Sequence, residues 1–132
     1  MPFTLDQKWI EQAEEKLNRK LREVYKEEIQ EENGGEADVY EDIWELYPIC
    51  DNSDKKRFSR TWNDIIKQTE DLSDWEGFPE TAVAIASNGC GDQLILLPNE
   101  SEPNHFKDTI YFWSHETEEI IEVAKHIKEI KV

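Results

Sequence analysis

The spacing of apolar residues changes character along this chain, and that change limits the folds open to it. Over Ile10–Ile29 and again over Phe58–Leu72 apolar residues recur at intervals of three and four, the period of a helix. From Thr81 to Trp113 they form short blocks of branched and aromatic residues broken by turn residues, the signature of strands. Consecutive strands with short links do not build a parallel βαβ sheet. They build an α+β fold, with an antiparallel sheet and helices on one face or around its ends.

The first helix is expected to open on a capping box, Thr4 with Gln7, and to carry Trp9 or Ile10, Ala13, Leu17 and Leu21 on one stripe. A second places Leu21, Val24, Tyr25 and Ile29 together and ends at Asn33-Gly34-Gly35, where glycine accepts a left-handed closing residue. Val39 to Ile49 reads as one extended segment rich in aromatic and branched residues, with Pro48 marking an edge or a strand end. Phe58, Trp62, Ile65, Thr69 and Leu72 read as one amphipathic helix, closed by a loop at Trp75–Pro79. Strands are expected at Thr81–Ser87, Gln93–Leu97 and Thr109–Trp113, the first two forming a hairpin, and a polar loop at Pro98–Lys107. A final helix is expected over Thr117–Ile130, with Ile120, Ala124 and Ile127 facing inward. Glu116, Glu118 and Glu119 would sit at its start, where the dipole favours anions. The expectation is one domain over residues 1–132, with a mainly antiparallel sheet of four or more strands and flanking helices.

Charge narrows the partners. The chain has 31 acids against 15 Lys and Arg, a formal charge of −16 over 132 residues. A field of that sign repels phosphate backbones and anionic lipid, so neither nucleic acid nor membrane is expected as a partner. It suits a basic protein, whose encounter it would speed. It also serves solubility, and composition leaves both uses open. Cys50 and Cys90 form no disulfide framework and no metal knuckle, so two reduced, partly buried thiols are expected. The first ten residues contain Asp6 and Lys8 and no apolar stretch, and no run approaches the ~20 apolar residues of a membrane helix. A cytoplasmic protein is the expectation. Oligomeric state is not legible.

Residues 27–42 hold eight acids (Glu27, Glu28, Glu31, Glu32, Glu36, Asp38, Glu41, Asp42) and no Lys or Arg. Four of them fall at helical spacing near the C-terminal end of the second helix, where like charges repel and the dipole disfavours anions. An arriving basic surface would relieve that cost, so these residues, with Tyr40, are the candidate partner-binding set. A solvated face that is merely tolerated is the alternative. Trp44 reads as sheet core, and Tyr40 as the more exposed aromatic.

No catalytic residue, cofactor or metal site is expected. Gly89-Cys90-Gly91-Asp92 matches no nucleotide fingerprint and no Lys comes after it, so it reads as a hairpin turn with Asp92 bonding local amides. Cys90 has no His near it in sequence, and His105, His115 and His126 lack zinc-site spacing. His115 reads as a brace at the junction of the third of these strands and the final helix.

Four stretches carry a family resemblance: Ile10–Leu21 into Tyr25 and Asn33-Gly34-Gly35; Trp44-Glu45-Leu46-Tyr47-Pro48-Ile49; Ile85-Ala86 through Gly89-Cys90-Gly91-Asp92 to Leu94; and Tyr111-Phe112-Trp113-Ser114-His115-Glu116. In their order and spacing the chain resembles the SUKH superfamily, in its Smi/Knr branch named for a fungal regulator of cell-wall synthesis. Gly34, Gly35, Trp44, Gly91, Asp92, Trp113 and His115 are the structural positions of that likeness. Arg22 stands where such proteins usually have Pro, at the start of the second helix, and Ser114 where they often have Asp. The resemblance implies a non-catalytic protein-binding role. Bacterial members look like immunity proteins that neutralise a toxin domain, often a nuclease, in polymorphic toxin systems. Fungal members look like interaction scaffolds, which is the alternative role.

Overall fold

The computed structural model describes residues 2–132. Its elements run α1 (Gln7–Leu17), α2 (Glu23–Glu31), β1 (Glu36–Val39), β2 (Asp42–Leu46), α3 (Lys55–Thr61), α4 (Ile65–Leu72), β3 (Val83–Ser87), β4 (Gln93–Leu96), β5 (Ile110–Trp113), β6 (Ile120–Ala124) and a 3₁₀ turn (Ile127–Glu129). The strands form one antiparallel sheet in chain order, β1 to β6. The α+β class read from the apolar period is the observed one.

The first stripe buries Ile10 and Ala13 as expected, but Thr4 does not cap it. Asp6 does, accepting from the Lys8 amide at 3.0 Å. The amide of Leu5 is bonded to the Gln30 carbonyl at 2.9 Å, which holds the chain extended along α2 until Asp6. The second stripe buries Tyr25 and Ile29. Arg22, at its N-cap, makes no side-chain cap; its guanidinium instead donates to the Phe106 carbonyl at 3.0 Å. Beyond the helix, buried Asn33 donates to the Ile49 carbonyl at 2.9 Å and accepts the Ile49 amide at 2.8 Å. That amide clamp ties the end of α2 to the segment after β2. Gly35 needs its positive φ of 92°, and a Cβ there would meet a Glu32 carboxylate oxygen at 2.1 Å.

Val39–Ile49 is not one extended segment. β1 and β2 form a tight hairpin that turns at Tyr40 and Glu41, with φ of 56° and 59°. A two-residue turn with both φ positive matches strand twist, but it normally calls on Asn or Gly. Tyr-Glu carries no such signal. The left-handed cost, roughly 1–2 kcal/mol per residue, is offset here by the Tyr40 ring packing on Phe112 at 4.9 Å.

The expected helix through Phe58 and Leu72 is two helices. Asp64 restarts the chain as a new N-cap, accepting the Lys67 amide at 2.9 Å and the Cys50 amide at 3.1 Å. The break turns Phe58 and Trp62 outward, 48% and 51% exposed, where the stripe had placed them inside. α4 keeps its apolar side, buries Ile65 and Leu72, and packs on β3.

The final helix is replaced by β6 and the 3₁₀ turn. Ile120 and Ala124 are four apart, and four is an even number. In a regular strand that pair would also share a face, but the register shift opposite Ile110 and Tyr111 sets Ile120 beside Trp113 and Ala124 beside Ile110, on opposite faces, and Ile120 is exposed where it was expected to face inward. Ile120, Ile121 and Val123 are branched, and Ile121 pairs with Phe112 across the sheet. Glu116, Glu118 and Glu119 therefore stand at a strand entry and have no helix dipole to meet.

Strand curl sets the core. The rings of Trp44 on β2 and Phe112 on β5 meet edge-to-face at 5.8 Å, although β3 and β4 lie between their strands. Trp44, Val83, Leu94, Ile95 and Trp113 are fully buried, and every residue of β4 is inside. The Trp113 indole donates to the Gly77 carbonyl at 3.1 Å, and its ring meets Phe78 edge-on at 5.1 Å.

Asp92 bonds further away than expected. It accepts the His115 amide at 3.1 Å and faces the His115 Nδ1 at 2.7 Å, so it clips the β3–β4 turn to the end of β5. The approach requires Gly91, where a Cβ would lie 3.0 Å from the His115 ring. His115 is the brace expected of it, set before a strand entry in place of a helix. Ser114 holds the turn after β5, its hydroxyl accepting from the Thr117 amide at 3.3 Å.

Burial alone would raise the Asp92 carboxyl, but the bonds from His115 and Asn88 outweigh it and hold Asp92 below the ordinary carboxylate range. A carboxyl depressed on folding adds stability above its unfolded value and loses it as pH falls through the folded one. Asp92→Asn should therefore be about 1–2 kcal/mol less stable at neutral pH. The gap should close below about pH 4. Urea midpoints across that range check it, and a gap constant in pH would leave packing as the cause.

Candidate protein-binding surface

The hairpin sorts its residues by face. Ala37, Trp44 and Leu46 point into the core, while Glu36, Asp38, Ile43 and Glu45 point out and are exposed. Register sets Glu36 opposite Glu45 and Asp38 opposite Ile43. Like charges placed directly opposite across a strand pair are unfavourable. Glu45 and Ile43 were not among the residues expected from sequence. Their place on the outer face comes from the register, which is invisible until the Tyr40–Glu41 turn is known.

The C-terminal segment alters the acidic run. After the 3₁₀ turn it pairs with the outer edge of β1, the Asp38 amide bonding the Ile130 carbonyl at 2.8 Å and the Val132 amide the Glu36 carbonyl at 3.0 Å. This lays two lysines between α2 and β1. Lys131 reaches the Glu32 carboxylate at 3.3 Å and also donates to the Gly34 carbonyl at 3.1 Å. Lys128 reaches Glu27 at 3.8 Å. The run that holds no cation in sequence thus receives two in space, and Glu32 and Glu27 are compensated.

The rest of the set is not. Among the described residues no ion pair reaches Glu28, Glu31, Glu36, Asp38, Glu41 or Glu45. Asp42 accepts its neighbour's amide, that of Ile43, at 2.9 Å and the Asn88 side chain at 3.0 Å. Apolar ground lies beside these acids, since Tyr40 is 52% exposed and Ile43 is 50% exposed.

An open groove of about 540 Å³ runs along this face, with Glu36, Ile43 and Glu45 on one wall and Arg60, Asn63 and Gln68 on the other. A second hollow of about 440 Å³ continues it past Glu36 and Glu45 toward Gly34 and Phe3. The Arg60 guanidinium lies over the Phe3 ring at 5.1 Å. Exposed Trp62 stands in the chain between Thr61 and Asn63, which line the two hollows. The surface therefore combines uncompensated carboxylates, amide side chains and exposed rings around a concavity.

The profile of the SMI1 / KNR4 family (SUKH-1) matches residues 4–130. The chain belongs to that family. No curated protein and no solved structure matches it.

The SUKH-1 match spans all four stretches in which the likeness was read. Gly34, Gly35, Trp44, Gly91, Asp92, Trp113 and His115 fall at turns, clamps and core rings of this structure, and each has a packing or bonding role. The SUKH-1 sheet presents the acids on its first hairpin instead. Cys50 is half-buried and Cys90 exposed, both as free thiols. No helix among the described residues is long and apolar enough to cross a membrane.

Proposed function

We propose that this chain is an immunity protein that binds a basic toxin domain in one-to-one stoichiometry and blocks its active site. The observation that carries the reading is the outer face of the hairpin. There Glu36 and Glu45 oppose one another, no ion pair reaches either among the described residues, and exposed Ile43 and Tyr40 lie alongside. The repulsion is a standing cost in the free protein, and a partner's lysines and arginines relieve it. Unpaired acids steer the encounter, and the aromatic and aliphatic anchors supply the affinity. A nuclease fits as the target, because its cleft is basic for phosphate. SUKH-1 membership agrees with a binding role.

Co-expression with the product of the neighbouring gene, in cells that this product kills, tests the reading. Rescue of growth and a one-to-one complex on gel filtration are the expected outcome. No rescue, with endogenous proteins copurifying instead, would assign the chain to a scaffold.

A further inference from the structure

The two edges of the sheet are treated differently. The outer edge of β1 is covered by the chain's own residues 130–132. The outer edge of β6 is left open: among the described residues no backbone hydrogen bond reaches Ile120–Ala124 beyond its pairing with β5. Exposed edges are ordinarily blunted with Lys, Pro or a bulge. β6 reads Ile-Ile-Glu-Val-Ala, with no Lys or Pro. The register shift opposite Ile110 and Tyr111 falls at its far end, so Ile120–Glu122 remains regular.

We propose that the open edge of β6 receives an extended, amphipathic strand of a partner protein, bearing Lys or Arg, as a seventh strand of the sheet. Main-chain bonds would hold such a strand and alternate side chains would select it. Ile121 pairs with Phe112, the ring that holds Tyr40. Residues of the incoming strand on that side are apolar. Glu122 lies on the other face, paired with Tyr111, and is exposed. The residue beside it is basic.

Charge selects the occupant. Glu116, Glu118, Glu119 and Glu122 lead into and through the strand, with no Lys or Arg between Trp113 and Ala124. Lys125 lies at the far end, and Lys107, bonded to the Tyr111 hydroxyl at 3.2 Å, feels the field of Glu122 with no ion pair between them among the described residues. A second copy would set these acids against their own kind, each chain carrying −16. A basic strand meets no such repulsion. This inference rests on the sheet edge alone and does not require the partner to be a toxin.

The probe is a synthetic ten-residue peptide alternating Lys with Val and Thr, added to the full chain labelled for amide NMR. Binding is expected to shift and protect the amides of Ile120–Glu122. N-methylation of the peptide's pairing amides should weaken binding about tenfold. Replacing its Lys by Glu should abolish binding, and Glu122→Lys in the protein should weaken it with an unchanged unfolding midpoint. Three results overturn the proposal: no binding at millimolar peptide, binding indifferent to N-methylation, or shifts centred on Glu36–Leu46. A concentration-dependent homodimer through β6 would overturn the choice of a basic partner. Failure to rescue cells from a toxin leaves all of these readouts unmoved, so the two readings fail separately.

Discussion

Trp44→Ala is expected to destabilise the protein by about 4 kcal/mol, the usual cost of deleting a buried indole. The ring is fully buried, meets Phe112 at 5.8 Å, and donates to the Val39 carbonyl at 3.0 Å. Deletion leaves a cavity in the curl of the sheet and a carbonyl without its donor, one residue before the strained Tyr40–Glu41 turn. For a chain of this size the midpoint of thermal unfolding should fall by roughly 15 °C. Trp44→Phe keeps a ring against Phe112 and loses the indole N–H, so it should cost less than half as much. Denaturant titrations give both values. A loss below about 2 kcal/mol for the alanine variant would mean that the hairpin holds its twist without this contact.

The second large effect concerns association. Neutralising Glu31, Glu36, Asp38 and Glu41 together, to Gln or Asn, should slow binding to a basic toxin domain by roughly ten- to a hundredfold at low salt. These four are chosen because no ion pair reaches them among the described residues, whereas Glu32 is already held by Lys131 and Glu27 by Lys128. The slope of on-rate against ionic strength should flatten in step, since the steering charges would be gone. Folding stability should be unchanged or slightly higher, because like-charge repulsion across the hairpin is relieved. Stopped-flow mixing at several salt concentrations measures the rates. An on-rate that ignores both the substitutions and the salt would reduce the acidic face to a solubility device.

Local pattern failed in particular places, each for its own reason. Thr4 has the right partner for a capping box, but the Leu5–Gln30 bond holds that stretch extended. Phe58 and Trp62 continue the stripe of α4 on paper, yet the amide of Cys50 draws Asp64 into a second cap and the helix breaks between Trp62 and Ile65. Ile120 and Ala124 fit the period of a helix, and pairing with β5 made a strand whose register shift sets them on opposite faces. The acidic run lacked any cation in sequence because Lys128 and Lys131 arrive from the other end of the chain.

Apolar period and charge count, both properties of short stretches or of the whole, were enough to establish the α+β class, the early helices, the β3–β4 hairpin, the buried Trp44 and the acidic balance. Tertiary structure alone decided the hairpin at Tyr40–Glu41, the Glu36–Glu45 juxtaposition, the compensation of Glu27 and Glu32, and which sheet edge stays open. Those depend on register and on contacts between residues up to about a hundred positions apart, such as Lys131 with Glu32. Such contacts form only where folding has already bent the chain back on itself, and no local preference of either residue encodes them.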